Sequence, residues 1–509
     1  MRRTTFYVTI IAVVIGISGF VREIIFSYFF GVSDIADAHI LALTIPGVIF
    51  EFIGAAIVVA YIPTYSRIEN DSGRKKADEY TNNLINMLMI VIFIIYIIGL
   101  IFSNAIVHFI ATGFDDTTIR LAVAFTRISL GGMFFNILIA IFKSYLQLKS
   151  NFIIPALASF PMHIVIIISI IISSGGNIYI LSVGAVISMA TRFIFLLPAL
   201  RKSGYNHKFL LDLKDENIKQ MLILASPIVI GVSVNQINTL VDRSIASSII
   251  VGGISALNYS KLILVFVRSI FVLSIITVTY PILSKLAVEN KIDNLRNMTI
   301  QNINIANLLT VPIVVGIIFF SEPIIRFLFG RGAFDEYAIA MTHMTLLYLS
   351  IGMIGMGVRD IVAKVFYSLQ DTKTPLINSA VGLSLNIILN IFLSRFMGIN
   401  GLALATSIGA TTTGLLLLMS LRRKIGQLKL LKVFASLGKM MSASLIMGVI
   451  AKLSYNYFIS NAFAQGLSLI LSIIIGIIIY FITVVFMKIE EVDTIISLMK
   501  NRINNYKSP

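Results

Sequence analysis

An all-α polytopic membrane protein of about fourteen transmembrane helices is the fold class this sequence predicts, on three observations. Of its 509 residues, 57% are hydrophobic and only 13% charged, with a mean hydropathy of +0.94; a soluble chain carries about 25% charged residues to cover its surface. Runs such as "NMLMIVIFIIYIIGLIF" and "LSLILSIIIGIIIYFITVVF" are long enough to cross about 30 Å of hydrocarbon as single helices. The connections alternate between basic and neutral or acidic, the pattern left when Lys and Arg stay on the cytoplasmic side.

Taken in order, the first span, 6–30, follows Arg2 and Arg3 and has no small-residue cleavage site behind it, so it reads as a membrane helix rather than a removed signal peptide. The second, 38–66, begins past Asp34 and runs into Arg67, Arg74, Lys75 and Lys76. The third, 81–107, leads to Asp115 and Asp116, and the fourth, 118–147, ends at Lys143 and Lys149. The fifth, 152–173, leads to "SSGGN", and the sixth, 177–199, to Arg201, Lys202, Lys208 and Lys214. The seventh, 218–250, meets "VGG"; the eighth, 254–285, ends on Lys285, Lys291 and Arg296. The ninth and tenth, 298–321 and 337–369, bring the chain to Lys373. The eleventh, 374–395, leads to "MGIN" and the twelfth, 400–421, to Arg422, Arg423, Lys424, Lys429 and Lys432. Spans 434–458 and 465–487 complete the set, with a tail at 488–509. The even count puts both termini on one side, the cytoplasmic side of the inner membrane by the charge rule. The net charge of +16 is therefore mostly a topology signal plus attraction to anionic lipid, and nucleic acid is a poor partner. The absence of Cys excludes disulfides and thiolate metal sites, and with no Trp, Tyr serves as the interfacial aromatic.

The chain repeats itself. "FVREIIFSYFFGVSDIADA" (20–38) aligns with "LVDRSIASSIIVGGISAL" (240–257), "AYIPTYSRIEN" (60–70) with "TYPILSKLAVEN" (279–290), and "IVHFIATGFDD" (106–116) with "IIRFLFGRGAFDE" (324–336). "KSYLQLKSNFIIP" (143–155) is echoed by "FYSLQDTKTP" (366–375). An even number of helices separates the copies, so they share one orientation, and such parallel repeats place a substrate path between two halves. The echoed stretches are turns between the fourth and fifth helices of each half. Pro155 and Pro375 sit near a helix start, where a missing N–H costs little, and Asp371 or Thr372 can cap the helix that follows.

Ionisable residues inside the spans carry the functional signal: Arg22 and Glu23, Glu51, Arg127, Arg192, Asp242 and Arg243, Lys261 and Arg268, Arg359 and Asp360. Facing lipid at a helix centre, each would cost about 2.5–3.5 kcal/mol. At 1.5 Å per residue, Lys261 and Asp242 lie about 10–12 Å from the outer helix ends, Arg127 about 15 Å, and Arg192 and Arg268 about 20 Å. Sequence neighbours such as Arg22–Glu23, Asp242–Arg243 and Arg359–Asp360 point about 100° apart on a helix, so partners on other helices or an anionic substrate are expected. Structural ion pairs and snorkelling account for Arg127, Arg192 and Arg359 as well as a cavity does; for Arg22 with Lys261 the cavity is favoured. The excess of cations points to a phosphate-bearing substrate. The five histidines show no metal spacing, the glycines of "GISGFVRE" and "GMIGMG" sit at packing intervals, and no Walker motif, nucleophile elbow or HExxH occurs. The sequence reads as a transporter, not an enzyme.

"GFVREIIFSYFFGVSDIADAHILALTIP" (19–46), "LNYSKL" (257–262) and above all "FGRGAFDEYAIAMTHMTLLYLSIGMIGMGVRDIVAKVFYSLQDTKTP" (329–375) resemble the MurJ/MviN family of lipid II flippases, in the multidrug/oligosaccharidyl-lipid/polysaccharide exporter superfamily. The resemblance covers nearly all of the chain. It implies two pseudo-symmetric six-helix lobes in a V around a cationic cavity, at 1–200 and 218–421 with a cytoplasmic linker at 201–217, and two further helices at 434–487 forming a groove for a polyprenyl tail. It further implies substrate-binding roles for Arg22 and Asp37, and for Lys261 where many members have arginine. In some members a sodium site follows a pattern that maps onto Asp242, Asn386, Asn390 and Thr406, so Na⁺ is a candidate coupling ion; no other cofactor is implied. Three departures stand out: Gly16 where the family often has arginine, Phe50 and Glu51 where it has a basic pair, and Asn390 in place of the second acid of the sodium pattern.

The function expected is a flippase that moves undecaprenyl-diphosphate-linked peptidoglycan precursor, lipid II, across the cytoplasmic membrane by alternating access. Arg22, Lys261 and Arg268 would hold the diphosphate, with Arg127 and Arg359 as further cavity cations. Another undecaprenyl-linked glycan, or a drug for a cation-coupled exporter of the same superfamily, are the alternative cargoes; the exporter cavity would be rich in acids and aromatics. A membrane-embedded glycan polymerase would need a long outer loop, and the outer connections reach only about 15 residues. Partners expected are the lipid-linked substrate and membrane lipids, with cell-wall synthases as further candidates around a monomeric carrier.

Overall fold

The computed structural model describes residues 2–489, apart from the side chains of 2–6, 55, 56, 58, 227, 228, 230 and 234; the tail expected on the cytoplasmic side lies outside the described residues from 490 onward. Among the described residues, eleven helices are long and apolar enough to cross a membrane, and fourteen when three sharply bent pairs each count as one span. They are α1 (Arg2–Phe30), α2 (Asp34–Ser72), α3 (Arg74–Ile110), α4 (Asp116–Ser129 with Gly132–Leu148), α5 (Ile153–Ser173), α6 (Ile180–Lys202), α7 (Glu216–Ile249), α8 (Gly253–Val288), α9 (Ile292–Phe329), α10 (Glu336–Ile351 with Met353–Ser368), α11 (Lys373–Met397), α12 (Ile399–Ile425), α13 (Leu430–Ser460) and α14 (Gln465–Phe486). The chain is an all-helical, multi-pass membrane protein. At 39, 37 and 38 residues, α2, α3 and α9 exceed what hydrocarbon requires. Their excess lies at the ends that carry the basic connections.

Three spans expected to be continuous are broken. α4 bends by 41° and α10 by 45°, at Gly131 and Gly352, about one repeat length apart. α7 bends by 44° between Ser226 and Gly231, across Pro227, and α1, its counterpart, runs unbroken. A break frees carbonyls that lipid cannot satisfy. At α10 the Ser407 hydroxyl of α12 lies 2.6 Å from the Tyr348 carbonyl and 3.1 Å from that of Leu349. Gly352 lets α12 come this close, because a Cβ there would lie 2.5 Å from Ser407 Cα.

The repeat extends to the connections. Left-handed backbone recurs at Gly31 and Gly252, Gly73 and Asn290, Ser150 and Gln370, Gly176 and Gly398, and Gly204 and Gly426. Two arginines counted above as topology signals turn out to close helices in the same way: Arg74 donates to the Ser203 carbonyl after α6, and Arg296 Nε donates to the Ile425 carbonyl at the end of α12, at 2.5 Å. The glycines that follow, Gly204 and Gly426, hold positive φ with the guanidinium lying where a Cβ would be. Each arginine thus binds a carbonyl that a helix end leaves without an intrahelical partner.

The chain forms two compact units, one running to Ser255 and taking in 331–335, the other holding 256–330 and the residues from Glu336 on. The first has a core around Tyr61, Tyr65, Tyr80 and Tyr145, whose hydroxyls find partners as burial demands; Tyr61, for example, lies 2.9 Å from the Thr81 hydroxyl. This unit includes α7 and the connection before it. Asn83 and Asn86 of α3 bind that connection through the Asp212 and Leu210 carbonyls, both at 2.9 Å. The second unit has a core around Val272, Leu295, Ile361, Phe366 and Leu417.

Removing the Ser407 hydroxyl leaves the α10 carbonyls without that donor. Ser407→Ala is expected to lower stability by about 1–2 kcal/mol, measured as a fall in the melting temperature of the detergent-purified protein.

Candidate functional site

In the first unit the expected site residues fall into distinct environments. Arg22 forms an ion pair with Glu23, its neighbour in sequence, and in the second unit Arg359 binds Asp360 at 3.0 Å. Both correct the expectation that adjacent charges cannot pair. The 100° between them fixes the Cβ positions only, and an arginine stem is long enough to carry its guanidinium round the helix. Asp37, only 1% exposed, accepts from the backbone amides of Ser255 at 2.7 Å and Ile254 at 3.4 Å. These are first-turn amides of α8, which have no intrahelical carbonyl to bind, so Asp37 caps α8 and its charge meets the positive end of the helix dipole. Arg243 joins the same corner, donating to the Ile254 carbonyl at 3.0 Å. Sequence reading noted Arg243 but gave it no role. Arg127 Nε donates to Ser103 of α3 at 2.8 Å. Arg192 is half-buried, with Nε lacking a hydrogen-bond partner.

In the second unit, Asp360 stands between two arginines, at 3.6 Å from Arg268 and 3.0 Å from Arg359, and the trio carries one net positive charge. Lys261 is half-buried on α8. α11 and α12 pack antiparallel and closely: Gly409 faces Asn386, Gly382 faces Thr413, and Gly401 faces the Leu393 carbonyl. This register puts Thr406 level with Asn390. Asn390 donates to the Asn386 side chain at 3.2 Å, and both are buried, while the Thr406 hydroxyl lacks a hydrogen-bond partner. Three of the four residues of the sodium pattern therefore share one neighbourhood, with oxygen donors suited to a hard cation. The fourth, Asp242, is buried in the first unit. Among the described residues no group of three or more His, Asp or Glu forms a metal cluster.

α8, α9, α13 and α14 enclose a cavity of about 640 Å³, lined by apolar side chains and Tyr480. Tyr480 turns its hydroxyl onto the Leu308 carbonyl at 2.8 Å. Pro312 and Pro323 lie within α9, and at Gly316 an added Cβ would meet nothing within 4 Å. The cavity lies against the last two helices, where the resemblance implied a groove, and α8 and α9 form its other walls. A fourteen-span count is what the resemblance implied, and the family described as lipid II flippase MurJ matches residues 26–489. The chain belongs to that family. A probable lipid II flippase MurJ of Rickettsia prowazekii is 28% identical over 94% of this chain and 96% of its own length. The lipid II flippase MurJ of Burkholderia cenocepacia is 26% identical over 80% and 81%. A solved structure of lipid II flippase MurJ in an inward closed conformation superposes with a TM-score of 0.81, at 27% identity, over 94% of this chain and 98% of that one. A multidrug resistance MATE transporter of the MOP superfamily shares the fold at a TM-score of 0.68 and 17% identity, over 82% and 98% of the two chains. The MurJ family is one of transporters rather than enzymes.

The repeated turn before α11 is built around Asp371. Its carboxylate accepts from the Thr374 amide at 2.9 Å and hydroxyl at 2.8 Å, and pairs with Lys424 of α12 at 2.5 Å. Of the two residues expected to cap α11, it is Asp371 that does so; Thr372 makes no side-chain cap. In the other copy, Lys149 pairs with Glu69 at 2.6 Å. Burial pushes the Asp371 carboxyl up, but Lys424 and the Thr374 donors together outweigh it and hold it down to about 2. A carboxyl held below its unfolded value of about 3.9 stabilises the fold above that pH, and the contribution is lost as pH falls through the folded value. The difference in melting temperature between the natural protein and Asp371→Asn should therefore hold steady from neutral pH to about 5 and shrink between about 4 and 2.

Proposed function

We propose that this MurJ family member moves lipid II from the cytoplasmic to the outer face of the membrane by alternating access, with both termini cytoplasmic. Arg22, Lys261 and Arg268 each act on the diphosphate in the course of transport, and the polyprenyl tail occupies the groove of α8, α9, α13 and α14. That groove is the observation that carries the reading. Transfer of a prenyl chain from lipid into an apolar cleft exchanges one hydrocarbon surface for another, whereas a polar cavity would forfeit about 0.8 kcal/mol for each methylene-sized unit. Arg268 already shares its carboxylate with Arg359, so a diphosphate can draw on a cation whose partner remains neutralised.

Sodium is the proposed coupling ion. Thr406 and the amides of Asn386 and Asn390 would contribute oxygens, the donors a hard cation takes. Binding of the ion shifts the population between inward and outward states only to the extent that the two states differ in affinity for it.

In cells depleted of their essential lipid II flippase, the natural protein should restore growth and surface exposure of lipid II. Arg22→Ala and Lys261→Ala should each reduce rescue by about tenfold or more, as expected for loss of a charge-assisted contact of about 1.5–3 kcal/mol. Gly316→Phe, which fills the groove from a position with open space around it, should fold and reach the membrane yet fail to rescue. Full rescue by Gly316→Phe would remove the groove from the transport path. Rescue by both charge variants would remove these cations from the site.

A further inference from the structure

At the basic ends of α9, α13 and α14 lies a second cavity, of about 350 Å³, distinct in chemistry from the apolar groove. Lys429, Lys432, Lys439 and Lys488 line it, together with the amides Asn297 and Gln301 of α9, and among the described residues lining it none is acidic. Its depth in the membrane follows from helix lengths. α13 has 31 residues and α14 has 22, or about 46 Å against about 33 Å. Lys439 Nζ donates to the Met487 carbonyl, just past the end of α14, at 3.2 Å. The stretch of α13 from Leu430 to Lys439 therefore extends beyond the point where α14 stops, as does the start of α9 that supplies Asn297 and Gln301. The cavity lies where hydrocarbon gives way to headgroups.

Lys488 is held there by construction. Its backbone takes the left-handed conformation, φ 48°, which is costly for a residue other than glycine. The turn is fixed by Ile489, 2% exposed, which packs with Leu308, Val311, Met440 and Val484. Beside the cavity the surface is strongly apolar: Phe486 is 85% exposed and Leu431 87%, with Ile482 and Phe434 also exposed. We propose that this basic cavity binds the headgroup phosphate of an anionic bilayer phospholipid, with the acyl chains lying along Ile482 and Phe486 of α14. Lysines at an interface attract anionic lipid, and basic pockets between membrane helices select headgroup phosphates. A soluble anion would gain nothing from the flanking apolar side chains, so their presence favours a lipid. Occupancy would tie α9, α13 and α14 together at the end opposite the outer connection.

The test is native mass spectrometry of the delipidated full chain, titrated with phosphatidylglycerol or phosphatidylcholine. Phosphatidylglycerol should bind at least about tenfold more tightly, and K432Q/K439Q/K488Q should abolish most of that preference, whereas K75Q/K208Q/K214Q, which removes equal charge elsewhere, should retain it. The single variants K432Q and K488Q should each lose about fivefold and decide the matter if the triple variant misfolds. An unchanged preference in these variants would overturn the proposal. Complete displacement of phosphatidylglycerol by millimolar inorganic phosphate would also overturn it, leaving a free-anion site. Binding that emerges only after E490Q/E491Q/D493N would overturn it by assigning the cavity to the chain's own carboxylates.

Discussion

A backbone amide or carbonyl in hydrocarbon has no water to turn to, and leaving one unpaired costs several kcal/mol. Continuous helices meet this demand except at their ends and breaks, and at several of those places this protein uses polar side chains. Ser407 binds the carbonyls that the α10 break releases. Asp37 binds the opening amides of α8, and Arg74 and Arg296 bind the carbonyls that close α6 and α12. Asp371 accepts from the Thr374 amide at the start of α11. Except for the Asp371 cap, these are long-range contacts in sequence, so each of the others also fixes which helices are neighbours. A single constraint thereby links helix termination to packing, and packing to the positions of the cations within the spans.

The two copies of the repeat show which features are structural and which are functional. Left-handed positions, arginine latches and the breaks in α4 and α10 occur in both, as expected of devices that a helical hairpin needs wherever it stands. Other features occur once. The α7 bend has no counterpart in α1, and the groove is built with α13 and α14, which lie outside the repeat. Duplicated architecture supplies the scaffold, and the α7 bend and the groove are what the two copies do not share.

Hydropathy, charge alternation and the recurrence at about 220 residues made the spans and the repeat legible, because each is a property of the chain read one window at a time. The breaks were not legible. Gly131 and Gly352 sit among other glycines of similar spacing, and only the approach of Ser407 identifies Gly352 as the one that matters. The partner of Asp37 is a backbone 217 residues away, which no local pattern encodes. Adjacent-charge pairing was misjudged because helical geometry was applied to side-chain tips rather than to Cβ positions. The contribution of α8 and α9 to the groove was hidden for a related reason: it depends on which faces of four apolar helices meet, and all four are apolar on several sides.

The pairing of the cations bears on how a charged headgroup can be moved at all. Opposite charges 4 Å apart attract by about 4 kcal/mol at an effective dielectric near 20, and a diphosphate meeting several unpartnered cations would be bound too firmly to leave. Arg22 with Glu23, and Arg268 and Arg359 with Asp360, have internal partners that, in the proposed mechanism, are exchanged for phosphate and regained on release. Each exchange replaces one ion pair by another, so the net energy of binding is the small difference between them rather than the full attraction. A carrier needs such a difference to be modest in both orientations, since a state that holds its cargo strongly is a trap. In the proposed site the carboxylates beside the arginines are as much a part of the transport chemistry as the arginines. Glu23 and Asp360 would set how readily that site empties.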